Sequence, residues 1–246
     1  MADVDLERLA DGYHHRPTGE AGRGRAAFAA GAARLGGGHL ALDIGGGRGG
    51  HALVFAARGA RAVVVDPAAG MVGAALASGL IAVRARGEAL PFPTDSVRLA
   101  YFHLVVHHGD WRAMVREAIR VVAPGGAVFV WTFTDDHHGR SHLARWFPSV
   151  VEIDEERFPP PAEIAGGLRD LGLAQSSGTA VERKTIDAGS WAAAAEAGFV
   201  STLQLLPTGE LHTGLEAFRE THPDPAEVLS YELHYAWVCG IAPSLA

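Results

Sequence analysis

Apolar and polar positions alternate in a regular beat between His39 and Phe133. Short apolar runs at 39–44, 61–65, 80–84 and 97–102 read as strands. Stretches with apolar residues at helical spacing separate them, at about 49–58 and 68–78. A further helix is expected over 110–122, with Asp110 as its N-cap and Trp111, Met114, Val115, Ala118, Ile119 and Val122 as its buried stripe. Pro124, Gly125 and Gly126 then turn the chain into a fifth strand over 127–133. Strands alternating with helices in this way imply a parallel sheet with right-handed crossovers.

The flanks are more helical. Val4, Leu6, Leu9 and Ala10 among charges predict a short amphipathic helix over 3–13, which Tyr13, His14, His15, Arg16 and Pro17 interrupt. An alanine-rich helix follows over 24–35, stopped by three glycines at 36–38. Beyond Thr134 the pattern loosens into DDHHGRSH and a proline-rich turn at 158–161. A helix at about 162–171, a strand near 180–186, helices at about 189–206 and 208–221 and a β-rich run over 228–238 come next. The two late helices form an insertion before the last strand, placed to cover the carboxyl edge of the sheet, where open α/β sheets bind ligands.

The 246 residues, 48% hydrophobic, are enough for one α/β domain with a helical elaboration. A net charge of −7 argues against a nucleic-acid partner, which needs clustered Lys and Arg. Lys184 is the only lysine, so neither a GxxxxGK phosphate loop nor a Tyr-x-x-x-Lys dehydrogenase dyad is present. The N-terminal stretch lacks the apolar core of a signal peptide, no apolar run approaches the roughly 20 residues of a membrane span, and Cys239 is single. The expectation is a soluble cytoplasmic protein with no membrane partner, of unassigned oligomeric state.

The chemistry concentrates in HLALDIGGGRGGHALVFAARGARAVVVD, residues 39–66. Gly45, Gly47 and Gly50 fit the dinucleotide pattern GxGxxG, while Asp43, Gly45, Gly47 and Gly49 fit the D-x-G-x-G-x-G pattern of S-adenosylmethionine (SAM) sites. About 20 residues after the glycines, Asp66 stands where a carboxylate accepts ribose hydroxyls. Asp43 would repel a pyrophosphate and attract a cationic amino-acid moiety, although an aspartate here also serves as a turn cap.

Residues 87–133 resemble the corresponding region of class I SAM-dependent methyltransferases, in particular the small-molecule group that includes ubiquinone and menaquinone biosynthesis enzymes. The resemblance is carried by GEALPF at 87–92, the paired His107 and His108, and VVAPGG at 121–126. Tyr13, Arg16 and Pro17 resemble a Y-x-x-RP element that some relatives fold over the cofactor. The resemblance implies an α/β, Rossmann-like class I methyltransferase fold: a seven-stranded, mostly parallel sheet with helices on both faces and a helical insertion before the last strand. It implies a single domain over 1–246, in which 1–35 form an N-terminal helical lid, 36–134 the SAM-binding core and 135–246 the remaining sheet with a cover for the acceptor site. SAM is the implied cofactor. Tyr13 and Arg16 would close over it; Asp43, Gly45, Gly46 and Gly47 would surround its methionine part; Asp66, with Pro67 beside it, would bind the ribose. Met71, Glu88, Ala89 and Leu90 would line the adenine, and Phe102 and His103 would sit near the sulfonium.

One departure stands out. Arg86 occupies the place where relatives often carry an acid for the adenine amino group, and an arginine cannot accept that hydrogen bond. Glu88, or backbone, then has to substitute, or Arg86 turns to solvent, or adenosine binding weakens.

The implied activity is methyl transfer to a small organic metabolite. The alternatives are a methyltransferase fold that binds SAM or its product without methylating and, resting on GxGxxG alone, a nicotinamide-dependent oxidoreductase. Methyl transfer is an in-line displacement on an already activated carbon, so a base is optional. His107 and His108 are the catalytic candidates, with His103, His137, His138 and His142 also at the expected ligand edge. Asp135, Asp136, His138 and His142 offer metal-like spacing, but Gly139 weakens the helical turn they would need, and a polar loop without metal is the reading. Trp146, Phe147, Phe158, Trp191, Phe199, Leu203, Leu205 and Leu206 serve either as an apolar acceptor pocket or as core.

Overall fold

A computed structural model describes residues 4–12 and 21–244. The chain divides into two compact units. A sheet unit takes in 19–132, 159–179 and 236–246, and a helical unit takes in 1–18, 133–158 and 180–235.

The sheet unit is built on β1 (Leu40–Ile44), β2 (Arg61–Asp66), β3 (Ile81–Arg84), β4 (Val97–His103) and β5 (Val122–Phe133). These pair in parallel in the order β3-β2-β1-β4-β5. The strands β7 (Val228–Ile241) and β6 (Ala174–Asp187) complete a seven-stranded sheet, order β3-β2-β1-β4-β5-β7-β6. The amide of Gly125 donates to the carbonyl of Ala242, and that of Ala242 to Gly126, while Thr134 donates to His234, so β7 runs antiparallel to β5. The order reverses between β1 and β4, the switch point at which open α/β sheets hold their ligands.

Strand periodicity sorts the side chains onto two faces. Leu42, Ile44, Val63, Val65, Ala100, Phe102, Val128 and Val130 share one buried cluster with Met114, Val115, Ala118 and Val121 of α5 (Trp111–Val121) and with Ile164 and Leu168 of α8 (Pro161–Asp170). The alternate positions include Asp43, Tyr101, His103, Phe129 and Trp131. They face α2 (Ala21–Ala32) and α3 (Gly50–Ala56): Phe28 meets Phe129 edge-on at 5.8 Å, Phe55 meets Tyr101 at 5.3 Å, and His51 lies 4.5 Å from His103. The expected cap holds, since the Asp110 carboxylate accepts from the amides of Arg112 at 2.9 Å and Ala113 at 3.1 Å.

The helical unit contains α1 (Leu6–Gly12), α6 (His137–Arg140), α7 (Ser149–Arg157), α9 (Ala188–Glu196) and α10 (Glu210–Thr221). Its core stacks aromatic rings: Trp191 lies between Phe147, parallel at 6.2 Å, and Phe218 at 4.3 Å. Trp146, Val150, Phe199, Leu203, Leu215 and Leu229 pack around them. A buried polar group ties α7 to the 3-10 turn Ser201–Gln204. The Thr202 hydroxyl donates to Asp154 at 2.6 Å, and Arg157 reaches Thr202 at 3.2 Å, Ser201 at 3.0 Å and Asp154 at 3.6 Å.

Four element readings change. The helix expected over 189–206 ends at Glu196, because Gly198 takes a left-handed φ of 70° and starts a turn. The helix α7 lies in the stretch that looked irregular, where its SVVEIDEER sequence shows no clean apolar stripe. Strand β5 begins at Val122, five residues before the expected start, because Val122 already pairs with Val97 of β4 and the Pro-Gly-Gly stretch bonds to Ala242 just past β7. Strand β6 begins at Ala174, where small and polar residues gave no apolar signal. A fourth helix, α4 (Ala69–Ala77), follows β2 as expected.

Candidate functional site

The glycine turn is shaped from below. Gly45 has φ of 65°, and a Cβ there would lie 2.1 Å from a methyl of Val105. Gly46 has no room for one either, since its Cβ would lie 2.5 Å from the Asp43 carboxyl carbon and 2.7 Å from the Asp43 carbonyl oxygen. Val105 reaches this position because Leu104 leaves the end of β4 with φ of 52°, a left-handed conformation rare outside glycine.

Two carboxylates flank the turn. Asp43, at the end of β1, is buried and accepts from the Ala52 amide in the first turn of α3 at 3.0 Å. Burial pushes its carboxyl up to about 7, against the lowering by the Ala52 hydrogen bond, and the negative charge of Asp66 adds to the rise. Asp66 ends β2 and accepts from the amides of Gly47 and Ala68, each at 2.9 Å. Met71 closes this side, its sulfur 3.5 Å from where a Gly47 Cβ would sit. Pro67 follows Asp66, and its carbonyl accepts from Arg84 at 2.9 Å.

The GEALPF segment is fastened to α5. Glu117 accepts from the Leu90 amide at 3.0 Å, and Arg120 donates to the carbonyls of Phe92 at 2.9 Å and Leu90 at 3.0 Å. The hydrogen bond from Arg120 also holds the Glu117 carboxyl below its usual range. Gly87 lies against Ile44 and Met114, so the segment passes over the end of β1. Arg86 is 61% exposed and 3.4 Å from one oxygen of Glu88. The other oxygen of Glu88 is buried with no hydrogen-bond partner. Ala89 is exposed and Leu90 buried.

Phe102 is buried in the cluster under α5, on the face opposite His103. The Nε2 of His103 accepts from Arg25 of α2 at 2.9 Å, and its ring lies against His51, whose Nδ1 is 3.9 Å from Asp43. His107 and His108 stand together on a 3-10 turn, Val106–His108, with ring centroids 4.1 Å apart, both half-buried. Tyr13 and Arg16 lie outside the described residues.

The elements thus bring Asp43, Gly45, Gly46, Gly47, Asp66 and Met71 together around one turn. Arg25, His51, Leu104, Val105, Glu117 and Arg120 also shape this edge and went unnoticed in the sequence. Arg25 sits in an alanine- and glycine-rich helix without a motif, and the bend at Leu104 has no residue signature. The candidates beyond β5 diverge. His137 stacks on Phe133 at 3.9 Å, His138 faces Asp154 at 3.9 Å, His142 stacks on Tyr231 at 5.0 Å, and Asp136 pairs with Arg140 at 2.7 Å. Burial lowers the titration of His137 to about 3 and of His142 to about 4. Among the described residues no group of three or more His, Cys, Asp or Glu is placed to hold a metal ion. Nor, among them, is any helix long and apolar enough to cross a membrane. Of the residues considered for an acceptor pocket, Trp146, Phe147, Trp191, Phe199 and Leu203 belong to the helical unit's core, and Phe158 lies 5.6 Å from Phe133.

A mostly parallel sheet with this strand order, with an acid before a glycine turn and a second acid ending the next strand, defines a Rossmann-like fold. Residues 42–130 match the family described as methyltransferase domain. An uncharacterized methyltransferase of Mycobacterium sp. (strain JLS) is 42% identical over 101 residues, which are 39% of this chain and 40% of that protein. The match therefore spans less than half the length of this curated relative. Among solved structures, the YcgJ protein of Bacillus subtilis is similar, with 21% identity and a TM-score of 0.64, over 90% of this chain and 100% of that one. The geranyl diphosphate C-methyltransferase of Streptomyces coelicolor A3(2) has 17% identity and a TM-score of 0.52, over 98% of this chain and 89% of that one. It was solved with Mg2+, geranyl diphosphate and S-adenosyl-L-homocysteine.

Proposed function

We propose that the chain binds SAM at the edge formed by β1, β2 and β4 and transfers its methyl group to a small organic molecule. The observation that carries this reading is the pair Asp43 and Asp66 flanking the glycine turn, close enough that the charge of one raises the other. Two neighbouring carboxylates disfavour a pyrophosphate and favour a ligand carrying positive charge. Val105 and Asp43 fill the space behind Gly45 and Gly46, so both positions stay without a side chain and the turn offers bare backbone to a ligand.

In this reading Asp66 holds the ribose hydroxyls and Met71 packs on the base. The buried, unpartnered oxygen of Glu88 supplies an acceptor for the adenine amino group, while Arg86, turned to solvent, leaves that place open. Asp43 faces the methionine moiety with Gly45, Gly46 and Gly47. When bound, SAM supplies a methyl carbon already activated by its sulfonium. The chain's part is alignment, exclusion of water and, for acceptors that must lose a proton, a base. His107 or His108 is the base in this reading, since the Nε2 lone pair of His103 is engaged by Arg25. The acceptor in this reading is a small metabolite.

Calorimetric titration with SAM and with S-adenosylhomocysteine tests the reading. Micromolar or tighter binding, at least about 8 kcal/mol, is expected for both. Absence of heat with either would overturn it.

A further inference from the structure

The helical unit has a cleft of about 550 Å³ that the nucleoside reading does not use. Arg140, Ser141, His142, Arg145, Tyr231 and His234 line it, with Glu232 at the wall. Its charged groups are mostly spoken for. Arg140 pairs with Asp136 at 2.7 Å, and Glu232 pairs with Arg183 at 3.1 Å and lies 3.5 Å from His234. Arg145 is the exception: among the described residues no carboxylate lies within ion-pair distance of it, and its guanidinium rests 5.0 Å over the Trp146 ring.

A second anomaly lies beside it. The Nε2 of His142 is buried with no hydrogen-bond partner, although its ring is fixed by stacking on Tyr231 at 5.0 Å and by the edge of Trp191 at 5.1 Å. The indole N–H of Trp146, ring centre 6.4 Å from that of His142, is likewise buried and unpartnered. Buried polar atoms are almost always paired, and an orphan costs on the order of 1–3 kcal/mol, so a rigid orphan lining a cleft indicates a partner that enters it.

We propose that this cleft binds a small organic anion, with Arg145 taking the anionic group and the His142 ring nitrogen hydrogen-bonding a second polar group of the ligand. Arginine suits this task because its planar fork matches a carboxylate or a phosphate. Burial, aided by the charge of Arg145, keeps His142 neutral at pH 7, its titration lowered to about 4, so Nε2 can pair with a neutral group. The flat ring of Tyr231 in the cleft wall suits an aromatic or otherwise planar ligand body. The inference stands apart from the nucleoside site and does not require methyl transfer.

Benzoate, phenyl phosphate and benzyl alcohol, titrated into the full chain while the tryptophan indole and histidine ring NMR signals are followed, test it. Saturable shifts of the Trp146 and His142 signals are expected with at least one anion, at roughly millimolar dissociation constants. Which anion binds tighter separates a carboxylate from a phosphate ligand. Arg145→Ala should weaken binding at least tenfold and Arg145→Lys less, both leaving the affinity for S-adenosylhomocysteine unchanged. No saturable shift with either anion, equal shifts with the neutral alcohol, or full binding by a folded Arg145→Ala protein would each overturn the proposal.

Discussion

The amide of Gly47 donates a 2.9 Å hydrogen bond to the carboxylate of Asp66. The turn after β1 is thereby tied to the tip of β2, and Ala68 bonds the other carboxylate oxygen at the same distance. One side chain shapes the loop and, in the proposed function, faces its ligand. Asp66→Ala should therefore lower affinity for S-adenosylhomocysteine at least tenfold and cost about 1–3 kcal/mol of stability, while Asp66→Asn, which keeps one acceptor, should lie between. Calorimetry and denaturant unfolding of the three proteins measure the two effects separately.

Glycine positions differ sharply in what they tolerate. Gly45→Ala meets Val105 and a left-handed backbone, and should destabilise by about 1–3 kcal/mol and abolish nucleoside binding. Gly50, in the first turn of α3, has open space around it, and Gly50→Ala should be neutral or stabilising by up to about 1 kcal/mol. Thermal melts of the two variants check this contrast. A dinucleotide reading of GxGxxG makes the opposite demand, since its third glycine is needed for close packing.

Asp43 gives the protein a pH dependence of unusual sign. Its folded-state carboxyl is raised from 3.8 to about 7, so between those values the folded state holds a proton that the unfolded state has lost. Stability from this group is full below about pH 4 and declines as pH rises toward 7, by an upper bound of about 4 kcal/mol. Asp43→Asn should remove that decline, leaving the variant more stable than wild type at pH 8 and near it only below about pH 4. Binding of a cationic ligand favours the ionised form, so affinity for SAM should rise between about pH 6 and 8 in wild type and stay flat in the variant. Melting curves and titrations across that range read both.

In the helical unit, Asp154→Ala would strand the buried Arg157 guanidinium and the Thr202 hydroxyl. A loss of about 3–5 kcal/mol is expected, against a smaller loss for Thr202→Val. Urea unfolding of both variants tests the ranking.

Arg86→Ala should change S-adenosylhomocysteine affinity less than about twofold, because the guanidinium points to solvent and pairs weakly with Glu88. Isothermal titration decides, and a loss above tenfold would assign Arg86 to the ligand.

The parallel sheet and most elements up to Phe133 were legible because hydrophobic period and turn residues agree there. Asp43, the glycines and Asp66 were legible because chemistry and spacing coincide. Three kinds of feature were not. Helix α7 carries charges around its circumference, so no stripe announces it. Arg25 meets His103 across 78 residues, a contact that spacing cannot forecast. The histidines of DDHHGRSH looked convergent in sequence, yet Phe133, Asp154 and Tyr231 draw their rings to different neighbours.

The bend at Leu104 links two distant positions into one heritable unit. Val105 occupies the space that a side chain at 45 would need, and it is brought there by a left-handed residue that is not glycine. A change at 105 to a smaller residue is tolerable while 45 stays glycine. The reverse is closed, because a side chain at 45 needs both a vacated 105 and a different backbone. Drift in this region should thus run through residue 105 first, leaving Gly45 fixed while its partner across the strand varies.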